Sequence, residues 1–416
     1  MRRRRPLGRR AMLAGSAALA APMIATARAD APVQLISHRY PALEFWAERM
    51  KSAVPGVTVS AQLMPFDKAL ELETIALSSH ADTLDIVYAN ESTFLNFAKN
   101  GWLRPLDDLW AKYRDTFRLD DFPEAVRKSV SWNGRLYLIP ADLNVMMFFY
   151  RADLLAGKGR QPPRSIAEYA ALAQAFNSPL RAGTISCLRP VDACLNEAHW
   201  YMQTIGPGWF DADWQPIFNG DRGVQAIEML RRVTRSAQRG FASAANDECM
   251  IALAQDTATM GLQWATRAGT MDDPKQSRVV GRIDWIAPPD GHARFSTDGY
   301  ALSAFSRHDP DTLFRIAATA TNEANMREAA ALTVPPRGSV LNDPALQDRI
   351  RYYRAAAASL ASATAFPQLP EFYAVGEFIA RRIVQAVTGE MAVKPALDAA
   401  AQETRAYLVA RGYRFG

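Results

Sequence analysis

Cysteine and histidine are scarce in this chain of 416 residues, with three of the first and five of the second. Neither a C-x-x-C pair nor H-E-x-x-H occurs, so the common zinc patterns are excluded and neither a metal nor another cofactor is expected. Glycine-rich phosphate loops are missing as well: G-x-G-x-x-G and G-x-x-x-x-G-K are both absent, as is the G-x-S-x-G nucleophile elbow. These absences remove the main nucleotide-dependent and serine-hydrolase readings. Internal repeats and heptads are lacking too, which argues against a solenoid, a coiled coil or an adhesive module. The first 29 residues contain no acid but seven of the 48 basic residues (Arg2, Arg3, Arg4, Arg5, Arg9, Arg10 and Arg28). With these set aside, 41 basic residues face 43 acidic ones, the formal charge of +5 vanishes, and no nucleic-acid partner is expected.

That basic segment has an order of its own. "MRRRRPLGRR" is a charged leader, "AMLAGSAALAAPMI" an apolar stretch too short and alanine-rich to span a bilayer, and Ala27-Arg28-Ala29 a small-residue cleavage site. Residues 1–29 are therefore expected to be an export signal peptide, and Arg9-Arg10 followed by Met12-Leu13 makes it twin-arginine-like. No cysteine lies near the cleavage point to take a lipid, so a free periplasmic protein is expected.

The remainder, in a chain that is 49% hydrophobic and 22% charged, has the composition of a folded protein long enough for more than one domain. "VQLISH", a helical stretch with Leu43, Trp46, Ala47 and Met50 on one face, "VTVSAQLM", a second helix around "KALELETIALSSH" and "LDIVYA" alternate as strand, helix, strand, helix, strand. That rhythm predicts a largely parallel sheet covered by helices, with ligands at the strand ends. In "GRLYLIPADLNVMMFFY" Pro140 interrupts a strand pattern. "PADLN" there reads either as a passage from one lobe to another or as an edge-strand bend within one domain. Ser165 and Glu168 form a capping box, and the chain ends in two helices with a turn at Gly389.

Glu91, Asp142, Asp213, Asp298 and Glu371 stand beside aromatics or at strand ends, a setting that suits either acid–base chemistry or the recognition of hydroxyls. Tyr40, Tyr88, Trp102, Trp209, Trp214, Trp264, Tyr300, Phe372 and Tyr373 fall at element ends or in loops, where a flat ring can stack on the apolar face of a sugar. Cys187 and Cys194 enclose a short loop that a disulfide would close in an oxidising compartment, leaving Cys249 as a buried small hydrophobe.

The ordered passages "LDIVYANESTFLNFAKNGWLRPLDD", "WNGRLYLIPADLNVMMFFYRADLL", "FNGDRGVQAIEMLRRV", "DTATMGLQWA" and "FSTDGYALSAFSRHDPDTLFRIAATATNEANMREAA" resemble the extracellular solute-binding proteins of bacterial ABC importers, the sugar-binding type that includes maltodextrin receptors. Arg151 and Asp298-Gly299 depart from that pattern, where Asn and a glycine pair are usual. The resemblance implies the α/β, two-lobed periplasmic binding protein fold (type II), each lobe a mostly parallel sheet flanked by helices, with a ligand cleft between the lobes. It implies lobes of residues 30–142 plus 296–343 and 143–295 plus 344–416. It further implies a monomeric, non-catalytic receptor that binds a carbohydrate or polyol and delivers it to permease subunits in the inner membrane. A polyamine or phosphorylated polyol is the alternative ligand, and a periplasmic carbohydrate-active enzyme the alternative activity. The implied ligand-binding residues are His38, Arg39, Tyr40, Asn90, Glu91, Asp142, Trp209, Asp213, Trp264, Asp298, Tyr300 and Tyr373, with Trp264 the foremost stacking platform.

Overall fold

A computed structural model describes residues 31–415, so the expected export segment, 1–29, lies outside the described residues. Nine strands organise the described residues: β1 (Val33–His38), β2 (Val59–Met64), β3 (Ile86–Asn90), β4 (Ser131–Trp132), β5 (Arg135–Leu136), β6 (Ile139–Arg151), β7 (Met260–Trp264), β8 (Ile283–Ile286) and β9 (Phe295–Leu302). The opening follows the expected rhythm. Helix Pro41–Lys51 starts on Pro41, whose fixed φ suits a first turn, and buries Leu43, Trp46, Ala47 and Met50 on one face against the sheet. β1 pairs in parallel with β2 and with β3.

Beyond β3 the pairing changes sense. β9 lies antiparallel to both β3 and β6, and β7 and β8 are antiparallel to β6, giving the order β2-β1-β3-β9-β6-β7 with β8 also on β6. The two-lobed α/β architecture is present, but its sheets are mixed, with parallel ladders between named strands confined to β1, β2 and β3.

β6 joins the lobes. All 13 of its residues are buried, and it changes partners along its length: Ile139 to Val145 pair with β9, while Met146 to Tyr150 pair with β7 and Phe148 to Arg151 with β8. No turn forms at "PADLN". Pro140, which has no N–H to give a ladder, sits at a bulge between Pro140 and Asp142, and the strand runs on. The partner Gly299 is required there, because a Cβ on it would stand 2.4 Å from the carbonyl oxygen of Ile139. Alternation then serves two cores: Met147 and Phe149 join one hydrophobic cluster, while Met146, Phe148 and Tyr150 join the other.

β6 changes partner strand between Val145 and Met146, where we place the first crossing between lobes. The second lies at Arg294–Phe295, where β9 begins. The third runs through the stretch after Val334, which still bridges Leu143. Tyr353 Oη donates to Ala330 O at 2.8 Å on the first-lobe side, and the neighbouring Tyr352 ring meets Trp285 of β8 at 6.1 Å. Residues 344–353 thus lie against both lobes and do not simply begin the second. The terminal pair, Phe372–Thr388 and Val393–Ala410, packs on the second lobe, and Gly389 at φ 85° ends the first of them as expected.

The cysteine pairing differs from expectation. Cys187 is bonded to Cys249, with Cα atoms 6.3 Å apart, and Cys194 is the buried free thiol. Cys194 lies on helix Asp192–Thr204, where its side chain packs into the second-lobe core, while Cys187 faces helix Asn246–Ala254, which carries Cys249. Burial, and then the Glu197 carboxylate, push the Cys194 thiol well above its ordinary range.

Candidate ligand-binding cleft

Strand periodicity aims a set of side chains from the first lobe at one place. Tyr88 and Asn90 alternate on β3, and Ser296 and Asp298 on β9, so each pair shares a face. His38 ends β1, Asn144 comes from β6, and Phe66 opens helix Phe66–Ser78. The second lobe answers with Asp192 and Asn246 at two helix starts, Trp264 at the end of β7, Arg267 just after it, and Arg294 at the second crossing. These residues and Tyr40 line one narrow cleft. The lobes are closed upon it.

Contacts across the gap hold that closure. Arg294 Nη2 bonds Glu91 Oε1 at 2.6 Å, the Arg267 guanidinium lies 5.1 Å from the Tyr40 ring centroid, and Phe66 meets Tyr373 at 5.8 Å. Lys99 pairs with Glu371 at 2.5 Å, which also accepts from Tyr413 Oη at 2.6 Å, and Arg189 reaches Asp67 at 3.5 Å.

The wall offers both senses of hydrogen bond. Asn90 Oδ1 accepts from the backbone N–H groups of Ser92 and Thr93 at 3.0 and 2.9 Å, which commits its oxygen and leaves its amide to act as donor. Burial, reinforced by Arg267 and Arg39, holds His38 well below its usual range, so a neutral imidazole presents one donor and one acceptor. Asp192 accepts from Tyr373 Oη at 3.1 Å. Arg267 pairs with Asp247 at 3.2 Å, and Arg294 is fully buried with its Nε unpartnered among the described residues. Trp264 carries Arg294 over its ring at 5.5 Å, and Phe366 carries it at 3.8 Å.

Of the residues expected from sequence, His38, Tyr40, Asn90, Trp264 and Asp298 come together on the cleft wall. Tyr373 stands at its edge behind Phe66 and Asp192. Glu91 and Asp142 lie one layer back, fully buried, bonded to Arg294 and to Tyr40 and Trp46. Four residues are elsewhere. Arg39 is exposed, in the connection just after β1 ends at His38. Asp213 is exposed in a turn where its N–H bonds Asp211. Trp209 is 1% exposed in the second-lobe core, donating to His199 Nδ1 at 2.9 Å. Tyr300 shares the face of Asp298 two residues deeper, and is wholly buried.

Sequence reasoning missed Phe66, Asn144, Asp192, Asn246, Arg267, Arg294 and Ser296 as individual residues. Ser296 sits within the passage "FSTDGYALSAF" and is readable from Asp298 by the period of two, and Arg267 stands two residues beyond "DTATMGLQWA". Asn246 follows a long irregular stretch and leaves no signal. The described residues contain no cluster of three His, Cys, Asp or Glu side chains able to hold a metal ion.

Two α/β lobes closed on a polar, aromatic-backed cleft define a receptor that encloses a small solute. The chain belongs to the bacterial extracellular solute-binding protein family, whose model matches residues 37–326. It is a periplasmic, non-catalytic binding component of an ABC import system. A mannitol-binding protein of Pseudomonas aeruginosa is 26% identical over 357 residues, covering 75% of this chain and 78% of its own. A solute-binding protein of Agrobacterium radiobacter K84, solved in complex with ribitol, superposes with a TM-score of 0.83 at 19% identity, covering 90% of this chain and 98% of that one. One from Agrobacterium vitis S4, solved with bound D-mannitol, gives 0.83 at 19% identity over 92% and 100%.

Proposed function

We propose that the cleft receives a small neutral polyol of the D-mannitol or ribitol class and that the closed, monomeric receptor passes it to membrane permease subunits. The observation that carries this reading is the wall itself: donors from Asn90, Arg267 and Arg294 and acceptors from Asp192 and Asp298 surround one narrow cleft. Such a narrow, enclosed space suits a chain of a few carbons better than an oligosaccharide. Hydroxyls both donate and accept, so they satisfy such a mixed wall without bringing a charge to be compensated. The ligands named for the Pseudomonas and Agrobacterium relatives are of this chemistry.

A thermal-shift screen tests it, because a ligand that binds only the folded state raises the unfolding temperature by mass action. D-mannitol and ribitol should raise it, while maltose, putrescine and glycerol phosphate should not. Stabilisation by putrescine or by maltose alone would overturn the polyol assignment.

A further inference from the structure

Behind the cleft wall lies a chain of groups that a single set of charges cannot satisfy. Ser296 Oγ lies 2.7 Å from Glu91 Oε2 and also within bonding reach of Asp298 Oδ1. Tyr40 Oη lies 2.8 Å from Asp298 Oδ2 and 3.0 Å from Asp142 Oδ2. Three carboxyl groups are thus linked through two hydroxyls by four oxygen–oxygen contacts. Each hydroxyl owns one hydrogen. Two of the four contacts therefore need a hydrogen from a carboxyl group, and one negative charge remains among the three, facing the Arg294 guanidinium 2.6 Å from Glu91.

We propose that Glu91, Asp298 and Asp142 act as one positioning relay that retains two carboxyl protons at neutral pH and, through Asp298, presents a charge-neutral wall to the ligand. This rests on the polyol reading of the cleft for its effect on binding, though the protons themselves do not. Burial is the leading influence on all three acids and moves each upward, Asp142 to about 7 with Asp298 as its next cause. The surroundings do not reverse this. Arg294 favours ionisation of Glu91 and Asp298, and accounts for the one charge. Tyr88 of β3 donates to Asp298 at 3.0 Å. Tyr300 of β9 and Tyr352 of the third crossing face Asp142, and burial holds both phenols neutral. Arg267 reaches Tyr40 only through the ring face, and His38 is uncharged. Trp46 Nε1 lies 3.2 Å from Asp142 Oδ1 and 3.4 Å from Oδ2, and it is Oδ2, 3.0 Å from Tyr40 Oη, that bears the proton toward Tyr40.

The relay makes binding depend on pH with a definite sign. Raising the pH through about 7 strips Asp142, removes the hydrogen it gave to Tyr40, and adds a second negative charge to the layer behind the wall. In D142N the amide nitrogen supplies the hydrogen that the acid gave to Tyr40, while the amide oxygen keeps Trp46. Calorimetric titration with D-mannitol at about pH 6 and about pH 8.5 should show at least a roughly fivefold fall in wild-type affinity and less than about a twofold fall in D142N. Equal slopes in the two proteins would overturn the relay. The unliganded wild type is read separately: its infrared spectrum at neutral pH should contain a protonated-carboxyl band that diminishes in D142N, and lack of that band would overturn the proton assignment. Should no protein bind D-mannitol at either pH, the polyol reading falls while the infrared result still decides the relay.

Discussion

Under the proposed polyol reading, Trp264 is the side chain that stacks on the ligand's carbon backbone, and it can be tested alone. It is 4% exposed at the end of β7, with Arg294 over its ring. Aromatic stacking contributes about 0.5–1.5 kcal/mol beyond the area it buries, so Trp264→Ala should weaken D-mannitol binding by about tenfold and Trp264→Phe by less. Calorimetry checks both, and undiminished binding by the alanine variant would remove Trp264 from the site. Trp209 shows why such residues are hard to rank from sequence. Its neighbours Gly206, Gly208 and Asp211 read as a surface loop, yet the ring turns inward, and its Nε1–H meets a His199 that burial holds neutral, down to about 3. An indole in a loop pattern can line a cleft or plug a core, and only the partner of its N–H separates the two.

At the scale of elements, the cysteine tether is the sharpest departure from expectation. Spacing favours Cys187–Cys194 because a short loop closes readily, but Cys194 is committed to the buried face of helix Asp192–Thr204 and cannot turn back. The bond to Cys249 instead ties the strand-like passage at Thr184–Cys187 to the helix that presents Asn246 to the cleft. Unfolded without reductant, the protein should show one reactive thiol per chain, and peptide mapping should place it at Cys194. Reduction should lower stability by at most about 4 kcal/mol, the loop-closure value for a sequence separation of 62. Three reactive thiols before reduction would contradict the pairing. β6 carries a related lesson. Pro140 in "LIPAD" reads as a strand end, whereas the bulge at Pro140–Asp142 absorbs its missing N–H and the strand continues into the second lobe. A ladder break and a bulge have the same sequence signature, and the neighbour strand, here Gly299, decides between them.

Across the whole molecule, what was legible was local and ordered. The opening βαβ rhythm appears because Val33 and Leu35 alternate while Leu43, Trp46 and Met50 recur at helical spacing, and the succession of motifs pointed to two lobes before any distance was known. The first-lobe wall follows in part: His38 and Asn90 end their strands and Asp298 lies within β9, and all three are on the wall. Of the second-lobe wall only Trp264 is legible, because Asp192, Asn246 and Arg294 are brought to the cleft by lobe closure across long sequence separations. No periodicity records that. Closure is thus central: contacts such as Arg294–Glu91 and Lys99–Glu371 hold the two lobes together over the cleft proposed to take one small polyol. Calorimetric titration of the full chain with D-mannitol tests it most directly. The account predicts saturable binding of one molecule per chain, about micromolar or tighter, with the sugar recovered unaltered. No heat at millimolar D-mannitol, or its conversion to a product, would contradict it.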